Sequence, residues 1–100
     1  VMGYKVIWTD EAIDDLRQVV ARSFSDNPAA AVKLGESIIQ KSMRLSAHPR
    51  FGRIFRKLNQ DNIRETPVPP HRLIYEIDDA NSLIFVRMLH HGARSEPEIK

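Results

Sequence analysis

The chain has no cysteine, four glycines and a single tryptophan in 100 residues. Without thiols there is no disulfide framework, no cysteine-based zinc site and no thiol nucleophile, which suits a reducing compartment. The glycines form no phosphate-cradling loop, and there is no serine elbow. The one adjacent acidic pair, Asp78-Asp79, reads as a turn signal, so conventional hydrolase chemistry has little footing. No stretch approaches the roughly 20 apolar residues of a membrane span, and the opening Val1–Trp8 lacks the apolar run of an export signal. The expectation is a cytoplasmic protein with no membrane partner.

What is present is ordinary for a folded protein. A hydrophobic share of 42% and a charged share of 28% argue against disorder, and 100 residues suffice for one domain, 1–100, with a real core. The formal net charge of +2 hides an uneven distribution. Residues 1–47 balance six basic against six acidic side chains. Residues 48–75 carry Arg50, Arg53, Arg56, Lys57, Arg64 and Arg72 against Asp61 and Glu65, a net of +4, and residues 76–100 come to −2. The positive charge sits in the middle of the chain.

Residues 4–8 alternate, with Tyr4, Val6 and Trp8 on one face, and read as a strand. Thr9 supplies a cap oxygen, and Asp10 and Glu11 place negative charge at the start of a helix. Ala12, Ile13, Leu16, Val19, Val20 and Phe24 then recur at helical spacing. Asn27-Pro28 ends this helix and starts a second, whose stripe holds Ala31, Leu34, Gly35, Ile38 and Leu45, with Val32, Ile39 and Met43 beside it. His48-Pro49 closes the helical hairpin, placed at 10–47. Residues 63–68 make a weak strand because Pro67 lacks a ladder donor, whereas 72–78 and 83–90 are strong strands joined by a turn at Asp79–Ser82. The expected order is β-α-α-β-β-β, an α+β domain in which a helical hairpin covers a small antiparallel sheet with a three-stranded part over 63–91 and a tail at 95–100.

Four histidines, at 48, 71, 90 and 91, lack the spacing of a metal site, so no metal and no cofactor are expected. On a strand, His90 and His91 point to opposite faces. Arg50, Arg53, Arg56 and Lys57 interleave with Phe51 and Phe55, a pattern that fits phosphates and stacked bases, an acidic protein, or a solvated loop pinned by its aromatics. Arg72 and Arg87 interrupt apolar strands, so each is either paired or lines an open, anion-binding sheet face.

The motifs Tyr4-Lys5-Val6-Ile7-Trp8-Thr9, His48-Pro49-Arg50-Phe51-Gly52-Arg53, Ile63-Arg64-Glu65, Arg72-Leu73-Ile74-Tyr75-Glu76-Ile77 and Arg87-Met88-Leu89-His90-His91-Gly92-Ala93-Arg94 follow one another over nearly the whole chain. Together they resemble the RelE/ParE superfamily of type II toxin–antitoxin toxins, also called plasmid-stabilisation proteins. The resemblance implies a growth-inhibiting toxin neutralised by a cognate antitoxin that is acidic and partly disordered. It also implies that operator DNA is bound only through the antitoxin.

The superfamily divides into mRNA interferases that cut in the ribosomal A site and ParE-type poisons of DNA gyrase. Nucleases of the YoeB kind resemble this chain at Arg72 and His90, but His91 stands where they carry Tyr, and residues 50–58 hold no acid. The ending Leu89-His90-His91-Gly92-Ala93-Arg94 and the long helical hairpin are similar to ParE. The resemblance therefore favours a gyrase poison whose target-binding residues are Arg50, Arg53, Arg56, Lys57, Arg64, Arg87 and Arg94. The alternative is a metal-independent, ribosome-dependent mRNA nuclease with Arg72, His90 and His91 as catalytic residues. A non-toxic nucleic-acid- or protein-binding adaptor is the third reading.

Overall fold

A computed structural model describes residues 3–91. Strand β1 (Lys5–Trp8) leads into helix α1 (Asp10–Asp26) and helix α2 (Pro28–Arg44). A short 3₁₀ turn at Pro49–Phe51 then precedes β2 (Arg53–Ile54), β3 (Ile63–Val68), β4 (His71–Asp78) and β5 (Leu83–His91).

The caps act as read from the sequence. Thr9 Oγ1 accepts the Ala12 amide at 3.2 Å and donates to the Val86 carbonyl at 3.0 Å, so one hydroxyl starts α1 and ties it to β5. Asn27 serves both helices: its amide donates to Ser23 at the end of α1, and its side chain accepts the Ala30 amide at the start of α2. The two helices thus meet with a single residue between them.

The five strands form one sheet in the order β1-β5-β4-β3-β2. Over 63–91, β3, β4 and β5 pair antiparallel, and β2 adds an antiparallel partner to β3. The sheet as a whole is mixed, because β1 pairs in parallel with β5 from Lys5↔Leu83 to Trp8↔Val86. Periodicity gives a strand but not its neighbour. The helical hairpin intervenes between β1 and the rest of the sheet, and the return of β5 alongside β1 sets the parallel direction.

β2 was not anticipated. Its two residues pair with Glu65 and Arg64 of β3, too short a segment for any alternation to register. Pro67 lies beyond this pairing, so β3 tolerates it although it is not an outermost strand.

One face of the sheet is covered by the helices. Leu73, Tyr75, Ile77, Ile84, Val86 and Leu89 pack there with Ala12, Ile38 and Leu45, and Tyr4, Val6, Trp8 and Leu16 fill the margins. Each fully buried aliphatic in this layer contributes about 1.5–3 kcal/mol. Trp8 Nε1 donates to Ser42 Oγ at 3.1 Å, giving the partly buried indole its partner. Beyond the end of β1, Asp15 of α1 accepts the Leu89 amide at 3.0 Å. Burial raises the Asp15 pKa above its ordinary value, and the Leu89 hydrogen bond opposes the rise. The other face of the sheet carries only a small cluster, Phe55, Ile63 and Ile74, with Leu58 and Met88 against it. That face holds most of the polar chemistry.

Candidate functional site

The basic segment 50–57 does not form one surface. Phe55 is fully buried in the small cluster, whereas Phe51 is 69% exposed, so the two aromatics that look alike in sequence do different work. Between them Gly52 is pinned. Its amide donates to Tyr75 Oη at 2.9 Å, and that phenol donates to the Pro49 carbonyl at 2.7 Å. Burial raises the Tyr75 pKa, which keeps the phenol protonated and able to donate. A Cβ at position 52 would stand 2.5 Å from the Glu65 carbonyl oxygen, so only glycine lets the turn approach β3 this closely.

The arginines divide into separate groups. Arg50 donates to Asp61 at 2.9 Å and to Asp79 at 2.8 Å, and Asp79 also accepts the Tyr4 phenol at 2.6 Å. The hydrogen bonds from Arg50, first, and Tyr4 hold the Asp79 pKa down at about 2. Arg64 reaches the Asp61 carboxylate at 2.7 Å and the Gly52 carbonyl at 3.0 Å, clamping the 50–52 turn to the loop before β3. These two arginines are engaged in the structure of the loops. Arg87 pairs with Glu76 on the open face of the sheet, where the register steps from Ile74↔Met88 to Tyr75↔Val86 and leaves Arg87 as the extra residue of a bulge.

Arg53, Arg56, Lys57 and Arg72 do converge. With Ile54 and Glu65 they line an open groove of about 660 Å³ on the face away from the helices, with four cationic side chains against one carboxylate. Glu65 is the residue the sequence reading left unassigned. Its side chain is 5% exposed, and Oε1 accepts from Arg72 Nη1 at 3.1 Å with Arg53 Nη2 at 3.4 Å. The absence of acids in segment 50–58 is thus made good from a neighbouring strand. The register Arg53↔Glu65 and Glu65↔Ile74, with Arg72 two residues from Ile74, could have suggested it once the strands were paired.

His90 is the register partner of Arg72 and so lies on the same side of the sheet. Its Nε2 is buried and meets no hydrogen-bond partner among the described residues. His91 falls on the other side, edge-on to His71 with ring centroids 5.1 Å apart, beside Asp15 and Arg22 of α1. The structure therefore brings Arg72 and His90 together and separates His91 from them. Arg94 and the tail at 95–100 lie outside the described residues. No group of three or more metal-ligating side chains occurs among the described residues, and no helix there is long and apolar enough to cross a membrane.

Solved structures share this architecture, among them the following three. The chain superposes on a structure described as the chromosomal ParDE toxin–antitoxin system from P. aeruginosa with a TM-score of 0.73 at 15% identity, covering 88% of this chain and 95% of that one. It matches the toxin–antitoxin complex RelBE2 from Mycobacterium tuberculosis with a TM-score of 0.65 at 22% identity, covering 89% and 98%. A mutant of the E. coli toxin RelE in the free state gives 0.68 at 14% identity, covering 92% and 86%. At these identities the likeness establishes the fold. No curated protein sequence matches the chain. Residues 6–94 match the family described as ParE toxin of type II toxin-antitoxin system, parDE. With the fold and that match in agreement over most of its length, the chain belongs to the ParE toxin family of type II toxin–antitoxin systems.

Proposed function

We propose that this toxin acts as ParE-type members do, arresting growth in the cytoplasm by poisoning DNA gyrase. In this reading an acidic, partly disordered antitoxin folds onto it and neutralises it, and operator DNA is bound through the antitoxin. The observation that carries the reading is the family match over 6–94. The groove agrees with it, because the Glu65 carboxylate is already engaged by Arg72 and Arg53. Arg53, Arg56, Lys57 and Arg72 present a cationic surface suited to docking on an anionic target.

A second reading, cleavage of mRNA on the ribosome, is favoured by one observation: Arg72 and His90 stand in register, and His90 Nε2 has no partner among the described residues. In that reaction a ribose 2′-oxygen attacks the adjacent phosphorus and the 5′-oxygen leaves. Arg72 would stabilise the charge on the phosphoryl oxygens, and His90 would move a proton. His91, on the other side of the sheet, has no part in this arrangement.

Purified toxin assayed on gyrase with supercoiled DNA and, in parallel, on translating ribosomes separates the readings. Trapped gyrase–DNA cleavage complexes with intact mRNA are expected. Codon-positioned mRNA cuts that vanish in both Arg72→Ala and His90→Ala would replace the gyrase reading with the second. Unimpaired growth at confirmed soluble expression would remove both and leave a binding adaptor or an inactivated toxin.

A further inference from the structure

A second cleft lies on the opposite side of the 48–52 turn from the cationic groove. It encloses about 320 Å³ between the carboxyl end of α2, the 3₁₀ turn and β3, and is lined by Lys41, Arg44, Leu45, Ala47, His48, Phe51 and Thr66. Its character differs from that of the groove. Leu45 and Thr66 are buried at its floor, and Phe51 stands exposed at its wall. The Thr66 hydroxyl, on a residue 1% exposed, meets no hydrogen-bond partner among the described residues. Buried hydroxyls are ordinarily paired, so an orphan in the floor of a cleft marks a place for an incoming donor or acceptor.

The rim is basic and unspent. Arg50, Arg53, Arg64, Arg72 and Arg87 each have a carboxylate partner, whereas Lys41 and Arg44 have none within ion-pair distance among the described residues. Their place in the last turn of α2 complements the helix dipole, but that leaves their charged ends open to a ligand.

Two other surfaces compete for the role of docking site. The cationic groove is polar and suits phosphate better than an apolar anchor. The stripe of Ile13, Leu16, Val20 and Phe24 on α1 is apolar, but its cation, Arg17, already faces Asp14. Among these three surfaces of the described residues, the cleft is the one that joins an apolar floor, an unmet hydroxyl and unpaired positive charge.

We propose that this cleft anchors an acidic peptide segment, with one large apolar side chain, best an indole, entering it. The indole N–H then donates to Thr66 Oγ1, and flanking carboxylates meet Lys41 and Arg44. The inference deepens the reading of an acidic antitoxin and rests on it for the source of the peptide.

The probe is the hexapeptide acetyl-Asp-Glu-Trp-Leu-Glu-Asp-amide, titrated into the isotope-labelled full chain and followed by amide chemical shifts. Shifts are expected at Leu45, Ala47, Phe51 and Thr66. Lys41→Glu combined with Arg44→Glu should weaken binding about tenfold or more, and added salt should weaken it in the parent. Thr66→Val should weaken it several-fold while the fold is retained, and Arg53→Glu should leave it unchanged. Shifts confined to the α1 stripe or to the cationic groove would overturn the proposal. So would indifference to the double charge reversal, or a peptide-free, concentration-dependent dimer that covers the same amides. Growth arrest is scored separately: arrest without peptide binding removes the cleft alone, whereas peptide binding without arrest supports the cleft and removes the toxin reading.

Discussion

Replacing Arg72 by methionine tests whether the groove is organised around a buried charge. Glu65 is 5% exposed, so in the folded protein its carboxylate depends on its two guanidinium neighbours. The pairing with Arg53 is made by a side chain that is 77% exposed, and screened pairs of that kind contribute at most about 1 kcal/mol. Arg72, at 18%, carries most of the compensation. Removing one member of a buried pair costs about 3–5 kcal/mol, and Arg53 offsets up to about 1 of that, so Arg72→Met should lose about 2–4 kcal/mol. For a small domain with a stability of about 5–15 kcal/mol the loss is a large fraction. Urea unfolding should show it as a midpoint lowered by about 1–3 M with little change in slope. The double variant Arg72→Met, Glu65→Leu removes both charges and should recover most of the loss. The reasoning fails if Arg72→Met costs less than about 1 kcal/mol, or if the double variant is no more stable than the single.

Two further outcomes follow from the surrounding loops. Gly52→Ala places a methyl group against the Glu65 carbonyl oxygen and the Tyr75 phenol, and should destabilise by about 1–3 kcal/mol by pushing the turn off β3. Thermal unfolding would register this as a lower midpoint, and an unchanged midpoint would contradict the close approach. Asp79 has a folded pKa of about 2 against an ordinary 3.8. Because the folded value is the lower, its contribution is complete above the ordinary value and is lost as pH falls from about 4 through about 2. Asp79→Asn should therefore flatten the acid side of the stability profile over that window, and an acid limb identical to that of the parent would refute the pairing with Arg50 and Tyr4.

Much of the architecture was legible before any strand was paired. Thr9 and Asn27-Pro28 mark helix boundaries through local hydrogen-bond chemistry, and the alternation in β4 and β5 declares which residues enter the core. The parallel docking of β1 and the two-residue β2 were not legible, since both are settled by partners distant in the chain. The candidate site shows the same limit. A run of positive charge at 50–57 identifies the region, yet it does not tell that Arg50 and Arg64 are consumed by Asp61 and Asp79 while Arg53 and Arg72 share Glu65. Nor does it tell that Phe55 is core and Phe51 surface, since Phe55 packs with Ile63 and Ile74 of strands later in the chain.

By itself the sequence determined a cysteine-free α+β domain, the pattern of a toxin family, and a net positive stretch between the helices and the last strands. Capping, periodicity and composition are local quantities, and they suffice for the domain and its charge distribution, while the family pattern rests on the resemblance carried by the ordered motifs. Only the tertiary structure decided which cations are spent and which are available, that His90 joins Arg72 while His91 turns to the helices, and that a buried carboxylate stands in the groove. Those outcomes depend on strand register, where a shift of one residue moves every side chain to the opposite face.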